Sequence, residues 1–227
     1  VHFYPGRKAG DLPAVDKGTR VIAAQPFVGE TARALIERGA ELISAPFPLG
    51  AEGSEAWFEA VAEAYGVDSE RTQQVLEMPY QRAKRAVSVH CSKLEGKRIH
   101  FLPDSQLEIP MARFLSEECG LSVNEIGTPF HDQLLMRAEL ARLPQDVPMV
   151  EGQDLDPALS RVRAARPDLT VCGMGIANAL ESEGLRTKWS IELVFSPVQG
   201  FDQAGDLAGL FAKPLAREEI LEVGSWS

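Results

Sequence analysis

Thr170 to Gln203 reads T-V-C-G-M-G-I-A-N-A-L-E-S-E-G-L-R-T-K-W-S-I-E-L-V-F-S-P-V-Q-G-F-D-Q. A short apolar run, Leu169 to Cys172, breaks at Gly173 and Gly175 and passes through a short helical piece. A second apolar run, Trp189 to Phe195, follows. The pattern predicts strand, tight turn, helix, strand, which is the unit of an α/β sheet. Ligands of open parallel sheets collect outside the carboxyl ends of the strands, so both run ends point at one pocket with Trp189 at its rim.

Outward from this stretch the same alternation recurs. Arg20 to Ala24 is a β-type run, followed by a helix with Ala32, Leu35 and Ile36 on one face and Gly39 just past its end. Glu41 to Ser44 is the next strand. Ala45 to Gly53, with two prolines and two glycines, reads as a loop. Ser54 is placed to cap the helix Glu55 to Tyr65, and Asp68 to cap a long one reaching about Leu94, kinked at Pro79. Leu76, Tyr80, Ala83, Val87, His90 and Leu94 give that helix one apolar stripe. His90 and Cys91 near its end read as packing and surface residues.

Glu95-Gly96-Lys97 separates a first unit, residues 1–95, from a second, 96–213, with a tail at 214–227. In the second unit Ile99 to Leu102 is a strand and Ser105-x-x-Glu108 a capping box. Pro110 leaves two readings, a helix that begins near Ile109 or a bent one. Ser122 to Ile126 is a strand, Gln133 to Leu143 a helix, and Met149-Val150 an extended piece. Asp156-Pro157 is a cap followed by proline at the first helical position. Asp202 is placed to cap a closing helix with Leu207, Leu210 and Phe211 on one side, and the last dozen residues read as frayed. The fold class is therefore α/β, two Rossmann-like units in tandem with mainly parallel sheets. The first unit opens abruptly in V-H-F-Y-P, as a fragment would.

The 227 residues carry a net charge of -10 with no basic stripe, which argues against a nucleic-acid partner. No run approaches the roughly 18 apolar residues of a membrane span, and no leader peptide opens the chain, so a cytoplasmic protein is expected. Cys91, Cys119 and Cys172 lie far apart without a C-x-x-C spacing, the pattern of buried free thiols rather than of a disulfide framework or a zinc site.

Candidate chemistry is sparse. Gly173-Met174-Gly175 follows a strand as a dinucleotide loop would, but Asn178 stands where its third glycine belongs, and any strand-to-helix turn explains the pair. Asp104 and Glu108 at a strand end are either an acid/base pair or helix-capping carboxylates. His131-Asp132 is either a polarised histidine or an exposed helix start. Neither a G-x-S-x-G elbow nor H-E-x-x-H occurs, and no P-loop.

Four longer stretches are more specific: K-R-I-H-F-L-P-D-S-Q-L-E-I-P-M-A-R-F-L (Lys97 to Leu115), E-I-G-T-P-F (Glu125 to Phe130), E-G-Q-D (Glu151 to Asp154) and Arg186 to Gln203. The chain resembles, on these, the N subunits of light-independent protochlorophyllide reductase, a nitrogenase-like family, and corresponds to their C-terminal half. The resemblance implies a heterotetramer of two N and two B subunits. An ATP-hydrolysing iron-sulfur L protein dimer would supply the electrons that reduce the D-ring double bond of protochlorophyllide. It also implies a 4Fe-4S cluster whose ligands lie outside this chain, a catalytic proton donor on B, and no catalytic residue here, so that the fragment alone is inactive. Trp189 alone matches a substrate-pocket position of the family. The nearest sister is the corresponding subunit of chlorophyllide reductase. A free-standing, non-enzymatic ligand-binding α/β module is the alternative from a different class.

Overall fold

The computed structural model describes residues 1–4, 6, 8 and 13–216. Its organising feature is a five-stranded, wholly parallel sheet formed by β3 (Arg98–Phe101), β4 (Ser122–Thr128), β5 (Met149–Glu151), β6 (Leu169–Cys172) and β7 (Thr187–Trp189). The spatial order is β5-β4-β3-β6-β7, so the chain builds outward from β3 in one direction, then returns to build in the other. The reversal falls between β3 and β6, where His100 pairs with Thr170 and Phe101 with Val171. Strand alternation sorts the side chains into two layers. Ile99, Phe101, Leu169 and Val171 face one core with α4 (Glu108–Cys119), whereas Leu102 and Cys172 face another with α6 (Leu155–Ala165) and α7 (Met174–Ser182).

Ahead of this sheet in the chain come β1 (Arg20–Val21) and β2 (Glu41–Leu42), paired in parallel, with α1 (Gly29–Glu37) between them. Then come α2 (Gly50–Ala64) and the long α3 (Ser69–Leu94), which Asp68 caps by accepting the Arg71 amide at 2.9 Å. Pro79 lies inside α3 without ending it. Leu76, Ala83, Val87 and Leu94 are the buried stripe of α3. Against it lies α9 (Ala204–Leu215), entered through a 3₁₀ turn at Phe201–Gln203. Gly205 and Gly209, one turn apart on α9, sit where α3 comes closest: a Cβ on Gly205 would lie 2.7 Å from the Ala86 Cβ, and one on Gly209 would lie 3.2 Å from His90 Nε2. His90 is thus a packing residue of the helix pair.

Several boundaries differ from the sequence reading. The loop expected over Ala45 to Gly53 becomes helix at Gly50, and Ser54 does not cap it; its hydroxyl donates back to the Gly50 carbonyl inside the helix. The cap comes from α4 instead, where Glu118 Oε2 accepts the Ala51 amide at 2.7 Å. Helix α4 begins at Glu108, so Pro110 lies in the first turn, and the first helical amide, of Met111, comes after it. Helix α5 (Gln133–Leu140) stops before Leu143, α6 starts at Leu155 ahead of Asp156, and Asp202 lies in the 3₁₀ turn, paired with Arg82, rather than capping α9. The frayed tail expected at the C-terminus lies, from residue 217 on, outside the described residues.

The largest difference is at Trp189 to Phe195. Only Trp189 belongs to β7; Ser190–Phe195 is a helix, α8. Pairing explains the change. Strand β6 ends at Cys172, the register partner of Trp189, and past that point no neighbouring strand offers hydrogen bonds. Ile191, Val194 and Phe195 accordingly share one exposed helix face, while Leu193 turns inward.

Candidate functional site

The carboxyl ends of the strands around the chain reversal carry a linked set of polar groups. Glu108, buried at the start of α4, accepts the Ser105 amide at 2.6 Å, the Ser105 hydroxyl at 3.0 Å and the Thr128 hydroxyl at 3.1 Å. It is the locking residue of the turn after β3, and burial raises its pKa against the pull of those donors. Asp104 turns the other way, accepting the Ser190 hydroxyl and standing against Gly173, where an added Cβ would lie 2.6 Å from Oδ1. The two carboxylates thus do separate structural jobs; the expected Ser105-x-x-Glu108 capping box does not form, because the N-cap of α4 is Leu107 and Glu108 instead closes the turn ahead of the helix. Asp104 also places its charge beside the first turn of α7, the position a dinucleotide phosphate would need, so Gly173-Met174-Gly175 is a strand-to-helix turn.

His131 and Asp132 do not act as a pair. Asp132 is buried and caps α5, accepting the Leu134 and Leu135 amides at 3.0 and 3.1 Å and pairing with Arg33; His131 Nδ1 instead stands 3.1 Å from Glu151 Oε2.

A cleft of about 830 Å³ runs beside β7, the edge strand. Strand β7 forms its wall, with Asn178 and Glu181 of α7 on one side and Leu210 and Lys213 of α9 on the other. Its lining runs from Gly184 to Glu192 along the sheet edge. Trp189 lines it from the carboxyl end of β7 and is 39 % exposed, whereas its chain neighbours Lys188 and Ser190 are buried. Lys188 pairs with Glu192, four residues on. The other described indole differs: Trp57 donates to the Ala23 carbonyl at 2.8 Å and packs edge-on against Phe58.

The family model for nitrogenase component 1 type oxidoreductases matches residues 1–215. The chain belongs to this family. Among curated relatives, a light-independent protochlorophyllide reductase subunit N from Halorhodospira halophila is 59 % identical over 98 % of this chain, and one from Synechococcus sp. (strain CC9605) is 56 % identical over 99 %. The chain spans about half the length of these relatives, 53 % in each. A solved structure of nitrogenase Cp1 at pH 5 superposes with a TM-score of 0.63 at 12 % identity, over 83 % of this chain and 44 % of that one, a likeness of fold. The nitrogenase-like α/β architecture expected from the sequence is therefore the one observed.

Metal-sulfur clusters are a trait of nitrogenase component 1 type proteins, and the cysteines here do not fit one. Cys119 packs in the core on the α4 face of the sheet, Cys91 lies against that core, and Cys172 packs on the opposite face. Burial raises the pKa of all three thiols, that of Cys172 to about 12 with the Asp104 charge adding to it, whereas cluster ligands are thiolates. Among the described residues no group of three or more His, Cys, Asp or Glu side chains could hold a metal ion. Anaerobic reconstitution of the chain with iron and sulfide is expected to leave no stoichiometric cluster after desalting. Iron retained by the chain and released by Cys172→Ala would refute this.

Of the residues that line this cleft, sequence reading singled out Trp189 but missed the pairing of Lys188 with Glu192; Asp104, also singled out, and Ser190, missed, meet at the Trp189 junction outside the lining. The Lys188-Glu192 pair has a legible i,i+4 spacing, hidden once the segment is read as a strand. Ser190 carries only a weak signal, a lone hydroxyl beginning an apolar run.

Proposed function

We propose that this chain is a part of the N subunit of light-independent protochlorophyllide reductase. In this reading it assembles with a B subunit into a cytoplasmic heterotetramer of two N and two B, which reduces the D-ring double bond of protochlorophyllide to give chlorophyllide. Electrons come from an ATP-hydrolysing iron-sulfur L protein dimer, and the 4Fe-4S cluster is held by ligands outside these residues. The observation that carries the reading is the high-identity match of nearly all of this chain to about half the length of subunits of that name. Two structural features support it. The exposed face of Ile191, Val194 and Phe195 on α8 is the kind of apolar surface a partner covers, with Phe195 81 % exposed. Among the described residues no helix is long and apolar enough to cross a membrane.

Trp189 is the residue of this chain that we assign to the substrate. Protochlorophyllide is a broad aromatic plate, and offset stacking on an indole contributes ~0.5 to 1.5 kcal/mol beyond the apolar area buried. In a reconstituted full-length complex, Trp189→Ala is expected to weaken protochlorophyllide binding by roughly 2 kcal/mol, or about 30-fold, while Trp189→Phe binds nearly normally. An unchanged dissociation constant accompanied by a lowered melting temperature would make Trp189 a packing residue and remove the assignment.

A further inference from the structure

Trp189 stands at a junction that little apolar packing holds. It is the last residue of β7 and the N-cap of α8, with φ -74° and ψ 120°. Helix α8 has six residues, too few for a stable helix on its own. Of its apolar side chains only Leu193 is buried; Ile191, Val194 and Phe195 point outward. The direction in which α8 leaves the sheet, and with it the orientation of the indole at its entrance, therefore depends on polar anchors.

Two are present. On one side of the indole the Lys188 ammonium, itself buried, reaches Glu192 and ties the strand to the first turn of the helix. On the other side the Ser190 hydroxyl, 2 % exposed, donates to Asp104 Oδ2 and lies 3.2 Å from the Cys172 carbonyl oxygen. Asp104 follows β3, and Cys172 ends β6. A single hydroxyl thus gathers the carboxyl ends of two strands at the junction that follows a third. Asp104 also sets its carboxylate against Gly173, where an added Cβ would lie 2.6 Å from Oδ1. The bond is half-buried, and a charge-assisted bond is stronger than a neutral one and sets direction as well as distance.

We propose that Ser190 and Asp104 are positioning residues for Trp189, holding the indole at the angle at which it meets an aromatic substrate. This rests on the assignment of Trp189 to the substrate, and neither residue touches the reacting atoms. The consequence is an effect on binding rather than on turnover. Loss of the hydroxyl leaves the indole in place but free to reorient, and the substrate must then immobilise it on binding.

The test has two readouts. In the reconstituted complex, Ser190→Ala is expected to raise KM for protochlorophyllide roughly 10-fold, the scale of losing one hydrogen bond to a charged group, with kcat retained. Ser190→Thr, which keeps the hydroxyl, is expected to restore KM. Independently of substrate, the full chain labelled with 5-fluorotryptophan gives a fluorine resonance for Trp189, assigned by its loss in Trp189→Phe. That resonance is expected to be single and sharp in the parent and in Ser190→Thr, and shifted, broadened or doubled in Ser190→Ala. Asp104→Asn, which keeps an acceptor oxygen but removes the charge, is expected to move both readouts in the same direction by less, and it decides the matter if Ser190→Ala does not fold. A Trp189 resonance unchanged in Ser190→Ala, or in Asp104→Asn where that variant decides, overturns the proposal. So does an unchanged KM for the same variant while Trp189→Ala weakens binding. If Trp189→Ala itself leaves binding unchanged, the substrate assignment fails, and the resonance alone then reports whether Ser190 and Asp104 orient the indole.

Discussion

Arg113→Ala is expected to destabilise the chain by roughly 3 to 5 kcal/mol, the cost of leaving buried charges without their partner. The Arg113 guanidinium is wholly buried on α4. Its Nε donates to Glu139 Oε2 at 2.7 Å, and its Nη2 donates to the Phe47 and Leu49 carbonyls at 3.2 Å each. Glu139 in turn accepts the Phe47 amide at 2.6 Å, so an arginine and a glutamate together satisfy both backbone groups of one residue. Removal of Arg113 takes a donor from each of the two carbonyls, of which that of Phe47 keeps the Leu49 amide at 2.7 Å, and leaves the buried Glu139 carboxylate without its counter-charge. Since ordinary domains are stable by only about 5 to 15 kcal/mol, that is a large share of the total. Glu139→Gln keeps an acceptor for the Phe47 amide and is expected to cost less, ~1.5 to 3 kcal/mol, from the weakened bond to Arg113. Denaturant midpoints of the two variants measure both. A loss below about 1 kcal/mol for Arg113→Ala would show that water reaches the cluster and that it is not a buried ion pair.

This cluster also shows where sequence reading stops. Strand and helix order in the second unit was legible because apolar period and turn residues agree there: Ile99 and Phe101 alternate with buried neighbours on the other face, and Gly120, at φ 72°, ends α4 in the left-handed conformation glycine favours. The start of α2 was not legible. Ala45 to Gly53 carries two prolines and two glycines that read as loop, and the acceptors that organise it, Glu139 and Glu118, lie 92 and 67 residues from the amides they bind. A cap supplied through space leaves no local signature. The same holds at Ser190, whose helix forms because β6 runs out at Cys172 and because Asp104 holds the hydroxyl from 86 residues away. Trp189 was legible as a residue at a strand terminus near a cleft, but its strand was assigned to the wrong side: the indole closes β7 rather than opening a strand, and the alternation of Ile191, Leu193 and Phe195 mimicked a β pattern over half a helix.

Glu118 gives the cluster a pH dependence opposite in sign to that of most carboxylates in ion pairs. Its Oε2 accepts the Ala51 amide at 2.7 Å and its Oε1 lies 3.5 Å from Arg113 Nη1, both of which favour the charged form. Burial outweighs them and pushes the pKa from 4.5 up to about 7. Between these two values the folded chain holds a proton that the unfolded chain has released. Stability therefore falls as pH rises through this window: the contribution is complete below about pH 4.5 and lost above about pH 7. A shift of this size corresponds to about 3 kcal/mol across the window. Glu118→Gln cannot ionise and keeps an oxygen for the Ala51 amide, so its stability relative to the parent is expected to rise by that amount from the acid to the neutral end. The comparison isolates Glu118, because Glu108, with its raised pKa, and His100, whose pKa burial lowers, titrate in both proteins. Urea unfolding of parent and variant at half-unit pH steps measures it, and two parallel profiles would show that Glu118 is ionised in the folded chain throughout and that the pairing with Arg113, not burial, sets its charge.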